Sequence, residues 1–97
     1  MNKEDLYNCC IVIDENKVIE IQNILFNLGF NWVTSGQRIL RKNEFIHFNY
    51  IRMEKYNSIY PSIYNLDVIY MCSDANYSKI ISSDKIIRLF KIKKILE

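Results

Sequence analysis

The stretch from Asp14 to Gln37 leaves the chain little conformational choice. Asp14 is placed to cap a helix, and Val18, Ile21, Ile24, Leu25 and Leu28 then recur at helical spacing. Gly29 stops the run, because a glycine just past the last apolar residue supplies the left-handed turn on which many helices end. Phe30-Asn31-Trp32-Val33 resumes as an extended segment and breaks at Ser35-Gly36. Upstream, Cys9-Cys10-Ile11-Val12-Ile13 is short, apolar and partly β-branched, which predicts a strand buried on both faces and interior to its sheet. Strand, helix at about 15–28 and strand therefore open the fold, with Glu20, Asn23 and Asn27 on the helix face turned to solvent.

Further along, Asn31-Trp32-Val33-Thr34 and Gln37-Arg38-Ile39-Leu40-Arg41 flank Ser35-Gly36 as the two arms of a tight hairpin. Arg41-Lys42-Asn43-Glu44 reads as a polar turn, 45–53 as the longest strand, and 54–65 as a loop around the sole proline, Pro61. Leu66 to Cys72 predicts another strand, 73–76 a turn, and Lys79-Ile80-Ile81 a short edge strand. Ser82-Ser83-Asp84 offers a cap for a last helix over 85–96, with Ile86, Leu89, Phe90 and Ile95 as its apolar residues. The expected class is α+β: a small, mostly antiparallel sheet in the order β-α-β-β-β-β-α, with helices covering one face.

Ninety-seven residues without repeats or a linker make one domain over 1–97, with a single core. The N-terminal Met1-Asn2-Lys3-Glu4-Asp5 is too acidic and polar for a secretory signal, and no apolar run approaches the roughly 18–20 residues that span a bilayer. Three cysteines, Cys9, Cys10 and Cys72, are an odd number, and the first two point to opposite faces of one strand. A reduced, cytoplasmic setting with structural thiols is expected, and no cofactor or metal.

Charge is unevenly spread. Up to Gly36 two basic residues stand against five acidic ones, and from Gln37 onward eleven against six, for a net charge of +2. Such asymmetry suits an anionic partner, although +2 is small for a dedicated nucleic-acid binder. Arg38, Arg41, Lys42, Arg52 and Lys55 lie close in sequence to Trp32, Tyr50 and Tyr56, and Tyr60, Tyr64 and Tyr70 extend the tyrosine series. Arginine beside aromatic rings serves either a protein interface or a stacked, phosphate-bearing ligand. Partner contact is therefore assigned to Trp32, Arg38, Arg41, Lys42, Tyr50, Arg52, Tyr56, Tyr60 and Tyr64. Packing in the core is the competing role for Trp32. An alternative phosphate-binding set is Lys85, Arg88, Lys91, Lys93 and Lys94 on the last helix, whose ordinary role is a solvated face. His47 lacks a nucleophile or paired acid nearby in sequence, and the carboxylates are scattered singly, so no enzyme is expected.

The segment Ile24-Leu25-Phe26-Asn27-Leu28-Gly29-Phe30-Asn31-Trp32-Val33-Thr34-Ser35-Gly36-Gln37 resembles a pattern in many small phage-encoded proteins. There a strand and helix lead into Leu-Gly-aromatic-x-Trp, a Ser-Gly turn and further strands. Ile81-Ser82-Ser83-Asp84-Lys85-Ile86-Ile87 extends the likeness to the last helix. The resemblance implies a phage or mobile-element protein in the host cytoplasm that acts by stoichiometric binding. The implied partner is a host bacterial defence protein that it occludes; the alternative is a nucleotide or nucleic acid. A homodimer is also expected, since so small a β-rich domain has edges to protect.

Overall fold

The computed structural model describes residues 3–7, 9–12, 14–33, 38–46, 50–56, 66–72 and 79–96. The expected turns at 35–37 and 73–76, together with His47, Tyr60, Pro61 and Tyr64, lie outside the described residues, as does the side chain of Tyr56.

Local sequence accounts for each element. Asp14 caps the first turn, its carboxylate accepting the Asn16 N–H at 3.0 Å. That turn, Glu15–Lys17, is a 3₁₀ helix, and it runs into α1, Val18–Asn27. At the far end Gly29 adopts φ 104°. The Gly29 N–H reaches the Phe26 carbonyl at 3.0 Å and the Phe30 N–H the Leu25 carbonyl at 2.9 Å. This pair of bonds is a Schellman cap, which satisfies the last carbonyls and reverses the chain. Phe30 and Trp32 are thereby delivered to the core, 0% and 2% exposed.

The strands are β1 (Cys9–Val12), β2 (Asn31–Trp32), β3 (Tyr50–Tyr56), β4 (Leu66–Cys72) and β5 (Lys79–Ser82). They form one sheet in the order β2-β4-β3-β1-β5. β3 runs against its four companions: β1–β3 and β3–β4 are antiparallel, while β1–β5 and β2–β4 are parallel. The two antiparallel ladders carry most of the paired length. β1 is interior and β5 lies at an edge, as their sequences predict. Helix α2, Ser83–Leu96, follows β5 directly, its Lys85 N–H received by the Ser82 hydroxyl at 3.2 Å.

Both α-helices lie on one face of the sheet, in contact with each other. Ile21, Ile24 and Leu25 of α1 and Ile86 and Ile87 of α2 meet Cys9, Ile11, Ile51, Met53, Ile69 and Ile81 of the strands in one core. Registered pairs such as Ile11↔Ile51, Met53↔Ile69 and Ile11↔Ile81 align these residues across the sheet.

Several expectations need correction. Residues 38–42 are not a strand; β2 pairs with β4 rather than with a hairpin arm, and the Ile39 carbonyl and both Arg41 backbone groups are bonded to side chains, described below. The stretch expected as a strand over 45–53 begins as a 3₁₀ helix, Asn43–Ile46, and the strand is shifted to Tyr50–Tyr56, so that 54–56, expected as loop, are paired with β4. Ile95 does not join the core and is 83% exposed, since five residues from Phe90 carry it well round the helix.

Replacing Gly29 with alanine forces a Cβ into a positive-φ position. The expected loss is about 1–2 kcal/mol, read as a lower urea midpoint with an unchanged m-value.

Candidate functional site

Strand alternation divides β3 cleanly. Ile51 and Met53 are fully buried beneath the helices, whereas Tyr50, Arg52 and Glu54 stand on the opposite face and stay partly exposed. Register sets their neighbours. Arg52 lies between Cys10 of β1 and Tyr70 of β4, and Cys10 in turn lies beside Ile80 of β5. Tyr50 lies between Val12 and Cys72, and Glu54 lies opposite Val68, whose other neighbour is Asn31 of β2. The far face therefore carries two tyrosines, an arginine and a glutamate around Cys10 and Val68, which are fully buried, with Val12 and Ile80 41% and 53% exposed towards the β5 side.

Arg52 is held flat on this face. Its guanidinium sits 4.8 Å from the Tyr70 ring centroid, and its Nε lies 3.0 Å from a Glu54 carboxylate oxygen. Cation–π attraction and the ion pair together fix a long side chain that would otherwise sample many rotamers. At the β2 edge, Arg38 is exposed and donates from Nε to the Asn31 Oδ1 at 3.0 Å. The structure thus gathers Arg38, Tyr50, Arg52 and Tyr70 on one side of the sheet; Tyr70, though part of the tyrosine series, falls outside the contact set assigned from sequence.

The other assigned residues go elsewhere. Trp32 is buried, its indole N–H given to the Ile39 carbonyl at 3.0 Å and its ring tilted against Phe45 at 6.2 Å. Its place is the core. Arg41 covers that ring, its guanidinium 5.1 Å from the centroid, and Lys42 beside it is exposed. Arg41 is held by a residue that sequence reasoning missed. Gln22, 0% exposed on α1, donates from Nε2 to the Arg41 carbonyl at 2.5 Å and accepts the Arg41 N–H on Oε1 at 2.7 Å. A polar residue four places after Val18, on the apolar stripe, was the available signal.

Of the α2 cations, Lys85, Arg88, Lys91 and Lys94 are exposed. Steps of three turn each cation about 60° from the last, so neighbours adjoin but Lys85 and Lys94 lie on opposite sides of the helix, and the set does not converge on one point. Lys91 and Lys94 line a groove of about 880 Å³ between α1 and α2, with Lys94 Nζ 5.4 Å from the Phe90 ring.

Two groups depart from their ordinary acidity. Burial first, then the hydrogen bond from its hydroxyl to the Asp67 carboxylate and the nearby charges of Asp67 and Glu4, push Tyr7 up to about 12. Burial raises the Cys9 thiol, with Lys79 opposing and Asp5 adding to the shift. Cys9 Sγ faces the Asp5 and Tyr7 carbonyls at 3.3 and 3.7 Å, an environment that disfavours a reactive thiolate. Among the described residues no group of three or more His, Cys, Asp or Glu side chains is disposed to hold a metal ion, and no helix is long and apolar enough to cross a membrane.

Comparison with protein-family models, with curated proteins and with solved structures gives no match. The functional reading therefore rests on the surface itself.

Two outcomes follow from this chemistry. Gln22→Leu removes both bonds to the part-buried Arg41 backbone and is expected to cost about 1–3 kcal/mol in chemical denaturation. Tyr7 loses its proton more readily unfolded than folded, so its contribution to stability is complete below about pH 10 and fades as pH rises through about 12. Stability measured against pH should show Tyr7→Phe less stable than the parent at neutral pH, with the gap closing over that alkaline window.

Proposed function

We propose that this chain acts by stoichiometric binding of a protein to the far face of its sheet, centred on Tyr50, Arg52 and Tyr70, with Arg38 at the β2 edge. The observation that carries the reading is the setting of Arg52, ion-paired to Glu54 at 3.0 Å and stacked on Tyr70, on a face that also carries exposed Val12 and Ile80. Aromatic rings, arginine and aliphatic surface in one patch are the composition favoured at the centres of protein interfaces. Because these side chains stand on paired strands, and Arg52 is already ordered, little rotamer freedom remains to be lost on binding.

Nucleotide or nucleic-acid binding, the alternative, draws on the same Tyr–Arg pair. Glu54 weighs against it, since a phosphate approaching Arg52 meets a carboxylate already in place. The spread of the cations from Lys85 to Lys94 round α2 weighs against it too. The likeness to small phage-encoded proteins supplies the setting: a host bacterial defence protein as the partner, occluded without chemistry in the host cytoplasm.

The test is affinity capture of the tagged chain from bacterial lysate, followed by native mass spectrometry. A stoichiometric host protein is expected, retained as salt is raised. Tyr50→Ala and Arg52→Ala should each weaken that complex by about 30-fold or more, the scale of an interface hot spot, in protein that circular dichroism shows to be still folded. A small anionic ligand lost steeply with salt would overturn the proposal in favour of the phosphate reading.

A further inference from the structure

The end of α2 is apolar on the wrong side for a free surface helix. Ile92, Ile95 and Leu96 are 52%, 83% and 81% exposed. Their spacing of three and four places them on one strip of helix surface. Ile95 at the edge of that strip also lines the α1–α2 groove, whose floor includes Ile24 and Phe90 and whose α1 side includes Ile19, 37% exposed. Groove and strip therefore form one continuous apolar surface, on the opposite side of the molecule from Arg52.

Charge selects the occupant. The α1 bank of the groove carries Glu20, and the α2 bank carries Lys91 and Lys94. A uniformly acidic peptide would be repelled from one bank and a uniformly basic one from the other. An anionic membrane would welcome the lysines but would drive Glu20 towards its own charge. A second copy of the chain presents both signs in mirror positions. In a two-fold pairing that sets the acidic bank of one copy against the basic bank of its partner, the attraction occurs twice.

We infer that the α1–α2 groove is the interface of a homodimer. Ile95 and Leu96 at the end of one α2 enter the groove of the second copy, over Ile19 and Phe90, and Glu20 of each copy faces Lys91 and Lys94 of the other. This goes beyond the binding assigned to the far face, which lies on the other side of the sheet from the groove.

Sedimentation equilibrium of the full chain tests it. The expected species has twice the protomer mass, and Ile95→Asp, at a position too exposed to serve the fold, weakens association at least about 10-fold. Glu20→Lys gives one variant with two basic banks, and the double substitution Lys91→Glu, Lys94→Glu gives another with two acidic banks. Each should be largely monomeric alone, and an equimolar mixture should recover the dimer as a heterodimer. Pairing of these charges within one copy would give no such recovery. A wild-type monomer overturns the inference, and so does a dimer indifferent to Ile95→Asp, which would place the contact elsewhere, for example at the β5 edge. Failure of the mixture to recover association overturns the charge pairing. None of these readings depends on the far face or its partner.

Discussion

The reversal at Gly29 is the constraint on which the remaining geometry hangs. Once α1 lies over the sheet, two residues must turn the chain and bring Trp32 beneath the helix layer, and only a backbone at φ 104° does so here. With Trp32 in place, its indole N–H takes the Ile39 carbonyl, and Gln22 takes both polar groups of Arg41. The 38–42 segment is thus fastened by two side chains rather than by a sheet ladder. That fastening brings Arg38 to the edge of the far face and lays Arg41 over the indole. The cap, the core and the arginine edge form one mechanical sequence.

What was legible in the chain follows from where the physics is local. Leu66–Cys72, the β5 edge strand and the Ser82 cap were readable because alternation, β-branching and a hydroxyl before an apolar run each act within a few residues. The 38–42 segment was misread because Ile39 and Leu40 look like strand residues, while the partners that decide its path, Gln22 and Trp32, are distant in sequence. The shift of β3 has a similar cause. Phe45 and Ile46 carry apolar weight that pattern reading credits to the strand, whereas Phe45 packs on Trp32 from a 3₁₀ turn. Arg38, Tyr50 and Arg52 were recognisable as candidates by residue type. Their placement on one face with Tyr70 was not, because it depends on strand order and register. Trp32 went the other way: its rarity and position suggested contact, and its burial gives it to the core.

The sheet serves two surfaces of different character. Its helix side is closed by aliphatic packing and leaves the α1–α2 groove beyond it, whereas its far side carries side chains fixed by pairing with one another. If two copies meet through the groove, their far faces are held apart in a defined relation. A target that is itself oligomeric could then engage both at once, with an effective concentration set by the spacing rather than by free diffusion.

The pairing of β1 with β5 has a consequence for the history of the molecule as well as for its shape. β1 is made before the other four strands, yet its two neighbours are β3 and β5. An interior strand with Cys10 and Ile11 fully buried cannot be satisfied by the N-terminal half of the chain. While translation proceeds, β1 therefore presents unpaired backbone and apolar surface, and the sheet can close only after residues 79–82 have emerged. Contacts of such long sequence separation slow folding and lengthen exposure to aggregation. The pairing of β1 is thus completed late, once β5 is available, rather than piece by piece as the earlier strands are made.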